Sequence, residues 1–241
     1  MQPTGVGPVR VAWENTLRGQ IQRVVLSLPI VGPAVIRLHA ALRRPNVREY
    51  WEGRYRSGGD SGSGSFGRLS QFKAEVLNEL VSTRGIRSVV EFGCGDGHQL
   101  ELARYPSYVG VDISESAVRR CRERFAHDTS KLFLVSGSPE VPRSDCTLSL
   151  DVILHLVDDA TFVAYMRDLF ATSTRYVVIY SSNFDERFAA PHVRHRQFTS
   201  WVERHQPDFL LESTIPNRYP SKLGDAETSN ADFFVYRRRG S

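Results

Sequence analysis

The sequence predicts an open, mostly parallel α/β sheet flanked by helices. Three observations predict it. From residue 86 onward, short β-branched runs alternate with amphipathic stretches of helical length. The first of these strands runs into a glycine-rich turn, Gly93, Gly95 and Gly97, placed where a parallel sheet binds ligands, at the carboxyl end of a strand. The next strand ends in Asp112, where a carboxylate can accept both hydroxyls of a ribose.

The elements follow in chain order. Residues 1–17, with Pro3, Gly5, Gly7 and Pro8, read as a loose tail. Residues 18–44 carry helical periodicity, Ile21, Val24, Val25 and Leu28, then Val31, Val35, Leu38 and Leu42, and Pro29 and Pro33 break it into two short helices. Residues 1–48 thus form a basic amphipathic extension and 49–241 the main domain. Residues 49–67 are rich in Gly and Ser but bracketed by Tyr50, Trp51, Tyr55 and Phe66; a linker and a lid both fit that composition. A helix is expected over 66–83, with Leu69, Phe72, Val76, Leu77 and Leu80 on one face. Then come a strand over 86–92, a helix over 96–104, a strand over 107–112 and a helix over 114–126 with Ser114 as its N-cap. Strands over 131–135 and 145–151 precede a helix over 158–171. A strand over 175–181, a helix over 196–205 and strands over 208–214 and 231–237 complete the chain.

Composition narrows the function. The net charge of +4 is unevenly placed: residues 1–48 hold seven arginines against Glu14 alone, so the remainder is mildly acidic at −2. A basic body for nucleic acid is therefore disfavoured. Cys94, Cys121 and Cys146 are odd in number and lack CxxC spacing, which suggests neither a disulfide framework nor a zinc site and points to a reducing, cytoplasmic compartment. The longest uncharged apolar stretch, Val24 to Ile36, is 13 residues, short of the roughly 20 that a spanning helix needs.

The turn itself reads GxGxG, not the GxGxxG of dinucleotide enzymes, and Glu91 at its mouth repels a phosphate. No GK[ST] follows. EFGCGDG, residues 91–97, followed by GVDIS, 110–114, resembles the first two motifs of class I S-adenosylmethionine-dependent methyltransferases; LSLDVILHLVDD, 148–159, is similar to their fourth-strand motif. The resemblance covers about residues 66–241. The stretch from Tyr50 to Leu80 and HVRHRQFTSWVE, 192–203, are similar to a narrower bacterial group, some of whose members are associated with sugar or glycan biosynthesis.

The resemblance implies a Rossmann-like fold with a seven-stranded sheet and S-adenosyl-L-methionine as cofactor. It puts Gly93, Gly95 and Gly97 against the methionine part, Glu91 or Asp96 at its amino group, Asp112 on the ribose and Ile113 on the adenine. Gly137 and Ser138 border the adenine, although many relatives have an acid where this chain reads LVSGSPE, 134–140. Asp151, in the fourth-strand motif, joins the cofactor residues, and Tyr50, Trp51, Tyr55 and Phe66 form a lid over them.

On the acceptor side, a base assists methylation of an oxygen, and histidine suits that task. His155, four residues past Asp151, is the first candidate; packing on the cofactor is its plainer role. His192 and His195 form an HxxH pair that shares a face if helical, with Arg194 and Arg196 making a positive acceptor pocket; no third metal ligand is evident, so no metal is expected. Tyr180, with Ser181, Ser182 and Asn183 after the fifth strand, is placed to hydrogen-bond a polyhydroxy acceptor. The expectation is O-methylation of a sugar, glycan or other polar small molecule. A nucleic-acid methyltransferase is the alternative, weakened by the acidic body and by the lack of an NPPY-type motif after the fourth strand. A non-enzymatic scaffold is the third, with residues 18–44 lying on an anionic membrane, on the chain's own domain or on the second subunit of a homodimer.

Overall fold

The structure, a computed structural model, describes residues 46–187 and 192–241. Expectations for residues 1–45, namely the proline-broken helices and their membrane, own-domain or second-subunit docking, lie outside the described residues. Seven strands make one sheet: β1 (Val89–Phe92), β2 (Tyr108–Asp112), β3 (Lys131–Val135), β4 (Ser144–Leu150), β5 (Ser173–Ser181), β8 (Phe209–Ile215) and β9 (Asp232–Arg238). Their order is β3-β2-β1-β4-β5-β9-β8. The first five are parallel, and β9 enters antiparallel between β5 and β8. This is the seven-stranded, Rossmann-like arrangement the motifs implied.

Five helices are described: α1 (Val47–Arg56), α2 (Gly67–Thr83), α3 (Glu115–Arg124), α4 (Asp159–Thr172) and α5 (Phe198–His205). Phe72, Leu77 and Val81 of α2 and Val118 of α3 pack with Tyr108, Phe133, Val178 and Phe233. Phe162, Met166, Leu169 and Phe170 of α4 join Phe198, Trp201 and Val202 of α5 and Val177, Ile179 and Phe234 in a second cluster. Near-complete burial of such side chains, about 1.5–3 kcal/mol each, holds the layers together. The β3-to-β4 connection, 136–143, carries no helix; its Val141 packs on the small cluster Val90, Val109, Val111 and Leu134.

The structure departs from expectation, or adds to it, in four places. The segment expected as helix 96–104 is only a 3-10 turn, Gln99–Leu102, between the left-handed backbone of Gly93, Gly95 and Gly97 and Ala103, which is already extended. Ahead of the Gly/Ser loop stands a helix that was not expected: α1 begins at Val47, capped by the Asn46 side chain accepting from the Arg48 N–H. Residues 192–195 are not helical. His192 lies in a turn and His195 in a short ribbon of β6 (Glu186–Arg187) with β7 (Arg194–His195). Helix α5 therefore starts at Phe198, and no helix among the described residues is long and apolar enough to cross a membrane.

Candidate active site

The glycine turn is built by backbone need. Gly93, Gly95 and Gly97 have φ of 89, 57 and 77°, which side chains rarely tolerate. Space is also absent. A Cβ on Gly95 would strike Ser61 Oγ and lie 2.9 Å from Tyr55 Oη, and one on Gly93 would strike Val152. The turn is tied to β2 by Gly93 N–H donating to the Val111 carbonyl at 2.6 Å. Asp112, buried at the tip of β2, accepts from the N–H groups of Gly95 and Ser114 at 2.9 Å each. Burial pushes its pKa up to about 6, against the pull of those hydrogen bonds. Each of its oxygens keeps a further lone pair for a ligand. Glu91 is also buried; it accepts from the Tyr108 hydroxyl at 2.6 Å, and burial raises its pKa to about 7.

Helix α1 and the loop after it close over this turn. Glu52 accepts from Ser114 Oγ (2.7 Å), Ser116 Oγ (2.6 Å) and Ser116 N–H (3.1 Å) at the start of α3, and these bonds hold its carboxyl down at about 2. Arg48 donates to the Ile113 carbonyl, and Arg120 donates to the carbonyls of Tyr55 and Gly59. Ser61 Oγ donates to Asp96 Oδ1 at 2.7 Å, accepts from Asp96 N–H at 3.1 Å and is bonded to Tyr55 Oη at 3.0 Å. Glu52 and Ser61, which the motif analysis did not single out, are thus what fastens the segment down.

At the end of β4, Asp151 has φ of 59° without being glycine, a strained placement of the kind found at functional sites. Its Oδ2 receives a 2.8 Å bond from Lys73 Nζ of α2, and the Lys73 side chain is only 2% exposed. Lys73 was missed as well, although the sequence carries its signal: a charge four residues from both Leu69 and Leu77, on the apolar stripe of α2.

One side of the site gathers histidines. His155 ends a 3-10 turn, Ile153–His155, and its Nδ1 lies 3.1 Å from the His192 carbonyl oxygen. Trp51 meets its ring edge-on at 5.0 Å, His192 stacks at 5.9 Å, and Tyr50 stacks on His192 at 4.6 Å. His195 Nδ1 bonds Ser182 Oγ and its ring stacks on Phe184. Burial lowers the pKa of both His155 and His195.

These groups line one cavity of about 990 Å³ at the carboxyl ends of the parallel strands. Of the residues expected at the site, Glu91, Gly93, Gly95, Asp112, Ile113, Gly137, Ser138, Asp151, Tyr50, Trp51, Tyr55, His155, His192 and His195 are in its wall. Four are elsewhere. Gly97 packs toward Phe125 and Cys121, Asp96 is held by Ser61, Phe66 stacks on His98, and Tyr180 is buried with its hydroxyl accepting from Asn217 Nδ2 at 3.0 Å. Nor do Arg194 and Arg196 make a positive acceptor pocket. Both donate to Asp159 and to the Val157 carbonyl, latching the ribbon to the segment after β4. Among the described residues no three His, Cys, Asp or Glu side chains gather as a metal site.

A family model described as "Methyltransferase domain" matches residues 89–173. The EEF1A lysine methyltransferase 4 of Bos taurus is 28% identical over 179 residues, 65% of this chain and 68% of that one. The N-methyltransferase NodS of Bradyrhizobium japonicum, solved with S-adenosyl-L-homocysteine, superposes with a TM-score of 0.62 at 14% identity, over 81% of this chain and all of that one. The methyltransferase domain of the bacterial protein CtHen1-C has a TM-score of 0.56 at 18% identity, over 71% and 99%. At these identities the structural likenesses speak for the fold.

Proposed function

We propose, from the premise that this chain is a class I S-adenosylmethionine-dependent methyltransferase, that it methylates a hydroxyl oxygen of a polar small molecule, in particular a sugar or glycan unit, with His155 as the base. The cofactor fits the residues present. The cavity wall sets four carboxylates, Glu91, Asp112, Asp151 and Asp168, against Lys73 and Arg54, a surplus that suits a ligand carrying sulfonium and ammonium charges. Asp112 offers its remaining lone pairs to the ribose, and Ile113, Gly137 and Ser138 border the adenine. When bound, the cofactor supplies an activated methyl group for in-line displacement. The protein's share is to align the acceptor, exclude water and take its proton.

The observation that carries the reading is the state of His155. A carbonyl oxygen only accepts, so the bond to the His192 carbonyl assigns the hydrogen to Nδ1 and leaves the lone pair on Nε2. Burial holds the ring below its ordinary 6.5, so it is neutral near pH 7 and ready to accept a proton. Tyr50, Trp51 and His192 offer ring surface against which the apolar face of a sugar packs, and Ser182 and His195 offer polar atoms beside it.

The test pairs transfer of a labelled methyl group to a panel of saccharides and small alcohols with the variant His155→Asn. Expected are an unchanged affinity for S-adenosylhomocysteine and a fall in turnover of about 10²- to 10⁴-fold. Full turnover in the variant refutes His155 as base. The bovine relative is named for lysine methylation, which favours a second reading, N-methylation of a protein lysine. Methylation of lysine peptides with none on saccharides would establish that reading instead.

A further inference from the structure

The amino-acid end of the cofactor carries an ammonium and a carboxylate, and the motif resemblance assigned only its amino group, to Glu91 or Asp96. Asp96 stands outside the cavity wall, bonded to Ser61, and Glu91 already accepts from Tyr108. Neither group meets a carboxylate, which requires a cation or a set of N–H donors.

We propose that Lys73 and Asp151 form a charge-paired clamp for that end, Lys73 Nζ taking the carboxylate and the second oxygen of Asp151 taking the ammonium. The proposal rests on the reading that the cavity holds this cofactor. Both residues are in the cavity wall, 2.8 Å apart. The Lys73 ammonium has three protons. Asp151 Oδ2 takes one, and the face of Tyr180 lies 5.3 Å from the nitrogen. The Asp151 side chain keeps 29% of its surface exposed, and Oδ1 enters no hydrogen bond within the protein among the described residues.

The pair also sits where the cofactor-facing turns converge. Gly93, first of the turn, abuts Val152 beside Asp151, and a Cβ on Gly64 of the covering loop would lie 2.9 Å from Asp151 Oδ2. Side chains are kept away from the pair on both sides. The Lys73 ammonium is buried, and the desolvation of a buried charge can exceed what a single partner returns. A ligand that brings the opposite two charges completes an alternating ring of four, in which every charge has two partners. That also gives the left-handed backbone of Asp151 a purpose, since it sets the carboxylate between α2 and the glycine turn.

The test is calorimetric and needs no acceptor. Wild-type protein should bind S-adenosylhomocysteine about 10- to 150-fold more tightly than its decarboxylated analogue, the worth of a hydrogen bond to a charged group. Lys73→Met should remove that preference. Lys73→Met combined with Asp151→Asn leaves no uncompensated charge and should bind both ligands with equal, weakened affinity. Both variants should bind 5′-methylthioadenosine, which lacks the amino-acid end, as wild type does; this is also the control for folding. Retained preference in either variant overturns the clamp, and so does an equal loss of 5′-methylthioadenosine binding in the double variant. Wild-type protein that binds none of the three ligands removes the cofactor reading itself, and the clamp with it.

Discussion

Glu52→Gln tests how the covering segment is fastened. The carboxylate of Glu52 accepts three hydrogen bonds from Ser114 and Ser116, and its pKa falls from 4.5 to about 2. A shift of that size has a ceiling of about 3.4 kcal/mol at 1.36 kcal/mol per unit. Glu52 is near solvent, so screening reduces this to about 1–2 kcal/mol. Glutamine keeps one acceptor oxygen and turns an amide donor toward an N–H, which breaks the reciprocal fit. A carboxyl whose pKa is depressed on folding contributes its full stabilisation above the unfolded value, near 4.5, and loses it as pH falls toward 2. Hydrogen exchange at pH 7 should therefore show the amides of α1 opening about 5- to 30-fold more often in the variant, with β2 amides unchanged. The difference in thermal midpoint between wild type and variant should shrink from pH 7 to pH 3. Unchanged exchange in α1, or a midpoint difference independent of pH, refutes the latch.

Two further predictions concern the turn. Gly95→Ala forces a side chain into φ of 57° and against Ser61 and Tyr55; strain of about 1–2 kcal/mol should lower the midpoint by roughly 2–8 °C and weaken S-adenosylhomocysteine at least tenfold by calorimetry, whereas wild-type affinity would mean the loop does not close on the turn. Glu91→Gln removes a carboxyl whose folded pKa, about 7, lies above its ordinary 4.5, so its ionisation costs stability as pH rises through that window. The variant should gain up to about 3 kcal/mol on wild type at pH 8 and almost nothing at pH 4, measured by denaturant titration; equal gains at both values contradict the assignment.

What was legible in the sequence were features that local chemistry determines alone. Val89, Val90 and the alternating glycines give a strand and its turn wherever they occur, and the pairing of Asp112 with Gly95 needs only the order of two parallel strands. The missed parts depend on contacts far along the chain. Helix α1 carries Gly53 and precedes a Gly/Ser run, so its own propensity is poor; it is held by Ser114, Ser116 and Arg120, some 62–65 positions later. His192 and His195 have helical spacing, but Arg194 and Arg196 are drawn to Asp159 and flatten the segment into a ribbon. Lys73 was hidden because a charge on an apolar stripe makes sense only once Asp151 is seen across from it.

The helix-free crossover from β3 to β4 sets how the two sides of the cavity move. After the turn that closes with Ser138 N–H on the Val135 carbonyl, six virtual bonds reach from Ser138 to Ser144, at most about 20–22 Å. In that length the chain must pass β2 and β1, at about 4.8 Å per strand, and descend the height of the sheet. Such a path is short, and it includes a turn at Pro139 and Glu140. It moors Gly137 and Ser138 to the far edge of the sheet like a stay line, whereas the opposite side hangs on hydrogen bonds that break one at a time. The molecule therefore has a fixed jaw and a yielding jaw. A one-residue deletion between 139 and 143 would shift the fixed jaw bodily, but the same deletion in the Gly/Ser loop would be absorbed by slack.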